Sequence, residues 1–221
     1  MPQHADWKDP SLAVWYNKTL GFSDEQIKIY LAALSLRPHD TLVDFGCGNG
    51  VLLYHAAPLV KAALGVDSAA AQLALAREKN AAFGNVTFLE RNFEDCRLDG
   101  HAFTRGSARK ALHHLDEPAK NLFFRRAGAC FEKNALFIIE DAVLDFELAE
   151  LDGSLPRLES EAARYYGPLW KEIRRQFMLM MRTEYPASLS RWREAARAGG
   201  FEIVSHTQKT CFYGTLLMRK L

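Results

Sequence analysis

Cysteine is scarce in this chain: 221 residues hold four, Cys47, Cys96, Cys130 and Cys211, scattered and never paired as C-x-x-C. That spacing offers neither a zinc pattern nor a disulfide framework, so reduced thiols and no metal site are expected. The seven histidines form no H-x-x-x-H pair. Charge of one sign is lacking too, since 28 Lys and Arg against 27 Asp and Glu leave a formal net charge of +1. A polyanion-binding surface needs a basic excess, so a nucleic-acid partner is not expected. No apolar run approaches the roughly 18 residues of a membrane span, and no membrane partner is expected. The opening MPQHADWKDP lacks the basic and apolar regions of a secretory signal. A cytoplasmic protein is the resulting expectation. Internal repeats and low-complexity tracts are missing as well.

What is present is 48% hydrophobic residues, enough for the core of a single domain over residues 1–221. Residues 1–36 read as a helical cover. Within it, Ser23 followed three residues later by Gln26 is a capping box, opening a helix that buries Ile27, Tyr30, Leu31 and Leu34. Then strands alternate with helices. TLVDF, AALGVD, NVTFLE and ALFIIED have strand patterns. VLLYHAAPLV (interrupted by Pro58), SAAAQLALAREKNAAF (which Ser68 can cap) and EPAKNLFFRRAGACFE have helical ones. This alternation implies a parallel sheet covered on both faces.

The rhythm lapses over residues 144–186, which read as a helical insertion. Its Trp170, Ile173, Phe177, Met178, Met180 and Met181 suit a flexible lid, since methionine adapts to varied shapes. Core packing and a homodimer contact are the alternatives. SLSRWREAARAGG reads as a further helix, and FEIVSHTQKTCFYGTLLMRK as two antiparallel strands joined by a short polar turn.

The densest signal is DFGCGNG at the end of the first strand, with Gly46, Gly48 and Gly50 at alternate positions and Asp44 before them. Glycine lets backbone amides approach a ligand closely. Where a parallel strand turns into a helix, those amides line the crevice in which open sheets bind ligands. A helix starting near Asn49 or Gly50 adds partial positive charge. The dinucleotide fingerprint G-x-G-x-x-G requires its third glycine where Val51 stands. A pyrophosphate would also sit badly beside Asp44. A cationic ligand suits that carboxylate better, and S-adenosylmethionine carries a sulfonium and an α-ammonium.

DFGCGNG matches in full the first motif of the class I S-adenosylmethionine-dependent methyltransferases, an acid, any residue, then G-x-G-x-G. The chain resembles that family, and its small-molecule members in particular. The resemblance implies an α/β, Rossmann-like, doubly wound seven-stranded sheet of order 3-2-1-4-5-7-6 with one antiparallel strand and a helical insertion after strand 5. It implies methyl transfer to a small-molecule acceptor by direct displacement, leaving S-adenosylhomocysteine. Asp44 would balance the cofactor's positive groups, with Gly46, Cys47, Gly48 and Asn49 along its methionine tail. Asp67, 21 residues after Gly46, would hold both ribose hydroxyls, with Ser68 beside it. Asn92 and Phe93 would meet the adenine, Tyr16 would fold over the cofactor, and Arg109 occupies a position that often touches it.

ALHHLDEPAK resembles the A-L-H-H-L that follows strand four in many of these enzymes. His113 is the candidate general base, because imidazole titrates near neutrality. A structural histidine is the alternative, as methyl transfer often needs no base. In HAFTRGSARK, Arg105, Arg109 and Lys110 replace the apolar residues usual in that strand, so the strand is short with a solvated surface, or the cations enter a site. Nothing matches the N-P-P-Y that holds an extruded base. A module that binds the cofactor without catalysis and a protein methyltransferase remain alternative readings.

Overall fold

Local signals set the first ordered helices. The computed structural model describes residues 10–21 and 23–221, but not the side chains of 10–13 and 16. Helix α1 (Pro10–Leu20) precedes α2 (Asp24–Leu34), whose capping box forms as expected: Ser23 Oγ accepts from Gln26 N–H, and the Gln26 side chain accepts from Ser23 N–H. Ile27, Tyr30, Leu31 and Leu34 are all buried, as their 3.6-residue spacing requires.

Strand β1 (Thr41–Phe45) then leads through α3 (Val51–Ala56) to β2 (Ala62–Asp67), and through α4 (Ala70–Lys79) to β3 (Val86–Glu90). The chain crosses to β4 (Phe103–Arg109), α5 (Glu117–Gly128) and β5 (Phe131–Asp141). Short β6 (Val143–Leu144) opens the insertion, α6 (Leu151–Tyr166) and α7 (Trp170–Thr183). After β7 (Ala187–Ser188) come α8 (Leu189–Ala198), β8 (Phe201–Thr210) and β9 (Tyr213–Lys220). The main sheet runs β3-β2-β1-β4-β5-β9-β8, and β9 is antiparallel to both neighbours. With the two-residue pair β6 and β7 set aside, this is the expected seven-strand order.

Period-two alternation divides the core. Leu42 packs with α2 and α3 residues on one face, and Val43 and Phe45 with α5 and α8 residues on the other. The second face is aromatic. Phe137, fully buried, meets the rings of Phe45, Phe124, Phe131 and Phe201 at centroid distances of 5.4–6.1 Å. Gly106 of β4 admits this cluster, since a Cβ there would lie 2.4 Å from the Phe131 ring. Phe137→Ala should therefore cost about 3–5 kcal/mol of stability, read as a lower urea midpoint with unchanged slope.

Several expectations change. Residues Phe131 and Glu132 belong to β5 rather than α5, because Phe131 is drawn against Gly106 and Phe137. Ser68 does not cap α4; the Ala69 N–H goes to Asp67 Oδ1 at 2.8 Å. The turn between the last strands is not polar. Cys211 and Phe212 are buried there beneath the insertion, in a cluster with Leu158, Ala162, Phe177 and Met181. The apolar stripe of α7 thus forms a satellite core. Strand β4 is not frayed, and Arg105 is not solvated: its Nε donates to Leu34 O at 2.7 Å, satisfying the carboxyl end of α2, and Nη1 lies 3.3 Å from the buried Asp40. No described helix is long and apolar enough to cross a membrane.

Candidate functional site

The glycine turn is fixed from both sides. Gly46 and Cys47 N–H donate to Val66 O at 2.7 and 3.1 Å, stitching the turn to β2. Gly46, Gly48 and Gly50 have φ of +70°, +51° and +68°, the left-handed region that disfavours other residues. Their surroundings differ. A Cβ at Gly50 would lie 2.7 Å from Asn80 Nδ2 and 2.9 Å from Ala76 Cβ, so this position serves packing. At Gly48 the nearest atom would be Gln72 Oε1, 3.9 Å away. Gly48 therefore faces open space, the requirement for a ligand against main chain.

Two carboxylates flank that space. Asp67, at the tip of β2, accepts from Gly48 N–H through Oδ2 and from Ala69 N–H through Oδ1, each at 2.8 Å. Burial raises its pKa against these bonds. Each oxygen retains a further lone pair, as gripping a diol requires. Asp44 is buried on β1 and accepts from Ser107 Oγ. Burial, with the Asp67 charge added, lifts its pKa to about 7 despite the Ser107 bond and Arg109. A buried carboxylate so poised gains from a cation placed beside it.

The cleft gathers most of the expected residues: Asp44, Gly46, Cys47, Gly48 and Asn49 from the turn, Asp67 and Ser68 from β2, and Phe93 and Arg109. Asn92 is exposed and does not reach the lining; its flanking residues Arg91 and Phe93 do. The side chain of Tyr16 lies outside the described residues. One residue along α1, Asn17 enters the lining and donates to Gln72 Oε1 at 3.0 Å. Asn17 and Gln72 were not anticipated in the cleft, whereas Lys110 follows the alternative in which the strand-four cations enter a site, and His114 neighbours the expected His113. Asn17 sits beside the expected Tyr16 on the same helix, the one hint of it in the sequence.

Beyond Asp44 the wall is charged. Arg109 is not solvated, as its Nε donates to Glu140 Oε1 at 2.8 Å across the β4–β5 pair. Burial would raise the Glu140 pKa, but Arg109, Lys209 and the Tyr213 hydroxyl, at 2.7 Å, hold it low. Lys110 follows in a left-handed conformation, φ +49°, its amine 3.3 Å from Leu20 O. Burial, then repulsion from Arg109, brings that amine down to about 7.

His113 and His114 part company. His113 is buried, with Nδ1 2.5 Å from Asp141 Oδ1 and Nε2 3.2 Å from Glu184 Oε2. Burial alone would lower its pKa, but the two carboxylates raise it to about 9. It is absent from the cleft lining, so the general-base role expected of His113 has no geometry here: its nitrogens face carboxylates. His114 is the histidine in the lining, and burial, then His113, takes it down to about 4.

Comparison with known proteins agrees with this geometry. Residues 42–134 match the family model described as a methyltransferase domain. No curated protein sequence matches the chain. Among solved structures, the cyclopropane synthase MmaA2 of Mycobacterium tuberculosis superposes with a TM-score of 0.68 at 14% identity, over 89% of this chain and 83% of that one. An O-methyltransferase family protein of Burkholderia thailandensis gives 0.69 at 15%, over 96% of this chain and 60% of that one. The N-methyltransferase NodS of Bradyrhizobium japonicum, in complex with S-adenosylhomocysteine, gives 0.64 at 10%, over 94% and 97%. Residues 42–134 thus match a methyltransferase domain, and the described chain has the fold of these solved structures.

Proposed function

We propose that this S-adenosylmethionine-dependent methyltransferase acts on a small-molecule acceptor by direct displacement. The cofactor, when bound, supplies a methyl group on a sulfonium, already a good electrophile. Asp67 would hold the ribose, Asp44 the positive end, and the Gly46–Asn49 main chain the methionine portion. Phe93, in the lining, would meet the adenine. The remaining task of the chain is to align the acceptor and exclude water.

The observation that supports the small-molecule reading is the wall beyond Asp44, where Arg109, Lys110, Ala111 and His114 line the cleft and each is buried or half-buried, so that no exposed shelf for a polypeptide is formed by these four side chains. The near-balance of charge also supports the reading, since phosphate backbones call for basic excess. Two neighbours in the fold are described as O- and N-methyltransferases, so the acceptor atom follows from the site and not from the fold.

The test has two stages. At about 100 times the Kd, S-adenosylmethionine or S-adenosylhomocysteine should raise the melting temperature by roughly 5–10 °C, and NAD should not. Methyl-labelled cofactor is then incubated with enzyme and a cell extract separated into protein and low-mass fractions. Label is expected in the low-mass fraction. Label confined to protein, or cofactor binding with no transfer to either fraction, would overturn the proposal.

A further inference from the structure

Behind the wall of the cleft lies a second cluster. One ligand atom each of His113, His114 and Glu184 lies within 4.8 Å of the others, the only such ligand set among the described residues. Glu184 follows the insertion helix α7, and the histidines follow β4. Tyr185 N–H, donating to His113 O at 2.8 Å, ties the two segments together. Glu184 Oε2 lies 3.2 Å from His113 Nε2 and 3.6 Å from His114 Nδ1. That oxygen is buried and faces both imidazoles.

The two separations from Glu184 suit a shared ion. In a tetrahedral site with bonds of about 2.0–2.1 Å, neighbouring ligand atoms stand about 3.3 Å apart. The support behind the site is also of the kind metals use. Asp141 is fully buried and anchored by the N–H groups of Leu112 (2.8 Å) and Ala142 (2.7 Å). Its Oδ1 engages His113 Nδ1 and so aims Nε2 at Glu184. A carboxylate behind a ligating imidazole fixes both ring orientation and tautomer.

We propose that His113, His114 and Glu184 bind one divalent transition-metal ion, with Asp141 as the positioning residue behind His113. Two imidazoles and a carboxylate suit zinc best, with cobalt as its spectroscopic substitute. The fourth position would take water or an acceptor oxygen. His114 also lines the cleft, so the ion would share a wall with the cofactor site. The sequence carries no metal-ligand spacing, and the expectation of no metal rested on that. Here the fold assembles the donors from the segment after β4 and from the end of the insertion.

The test uses tag-free protein stripped with a chelator, then titrated with zinc or cobalt alone. One equivalent is expected to bind at micromolar concentration or below. Cobalt should give visible absorption without thiolate charge-transfer bands. X-ray absorption of the zinc form should show only N/O ligands, imidazole among them. Glu184→Gln and His114→Gln should each weaken binding about 100-fold or more, and Asp141→Asn about 10- to 100-fold. No stoichiometric uptake, sulfur in the zinc shell, or wild-type affinity in folded Glu184→Gln and His114→Gln would overturn the proposal. The wild-type spectra decide the matter if a variant does not fold. Neither cofactor nor acceptor is present, so the outcome is independent of the function proposed above.

Discussion

Asp67→Ala should weaken S-adenosylmethionine and S-adenosylhomocysteine binding alike, by about 100-fold or more in titration calorimetry. The two nucleosides share the ribose, which Asp67 is placed to hold with the lone pairs left over from Gly48 and Ala69. Hydrogen bonds to a charged group are worth about 1.5–3 kcal/mol each, and two hydroxyls would be lost together. The same truncation frees the Gly48 and Ala69 N–H groups, so the turn itself loosens. Asp67→Asn keeps the shape, but its amide NH2 would face the Gly48 or the Ala69 N–H, so it should weaken nucleoside binding and lower the melting temperature of the unliganded protein as well. Unchanged affinity in Asp67→Ala would remove the ribose from this carboxylate, and with it the placement of the cofactor.

The second large effect depends on pH. Burial lifts Asp44 to about 7, so near neutrality only about half of the unliganded protein carries that negative charge. A cationic ligand selects the ionised form. S-adenosylmethionine affinity should accordingly rise with pH up to about 7 and then level off. At pH 5 the competent fraction is about one in a hundred, so binding should be about 100-fold weaker than at the plateau. S-adenosylhomocysteine lacks the sulfonium and should show a shallower profile between pH 5 and 7, where its α-ammonium is already charged. Neighbouring groups are Asp67, Arg109 and Lys110. Lys110 also titrates near 7 and gains charge as pH falls, working in the same direction. Lys110→Met removes that part, and Asp44→Asn should flatten most of the remainder. A steep profile that survives in Asp44→Asn would assign the effect elsewhere. The sign for stability is opposite: a carboxyl whose folded pKa is raised loses stabilisation as pH climbs from its unfolded value, about 4, through 7. The unliganded protein should thus melt lower at pH 8 than at pH 6 by this contribution, and cofactor should close the gap.

The residues legible in the sequence share one property, local determination. The Ser23–Gln26 box and the left-handed glycines involve neighbours within a few residues. The cap expected of Ser68 does not form, and Asp67 instead accepts from Ala69 and from Gly48, nineteen residues away. Residues read wrongly, or missed, depend on what covers them. Arg109 looked solvated because its partner Glu140 stands opposite only once β4 and β5 pair in register. The turn between the last strands was expected to be polar, but Cys211 and Phe212 form it, buried where α6 and α7 lie over them. His113 and His114, adjacent in sequence, differ by which one backs onto Asp141 and which one meets the cleft.

By itself, then, the sequence determined the alternation of strands and helices, the glycine turn and the two carboxylates beside it, because backbone turns and periodic patterns follow from short-range sterics and hydrogen bonding, whereas the strand order was implied by the family resemblance. Tertiary structure alone decided which charges are buried, which histidine lines the cleft, and that Glu184 joins the histidine pair. Those outcomes depend on strand register and on the docking of the insertion, which bring together atoms far apart along the chain and strip them of water.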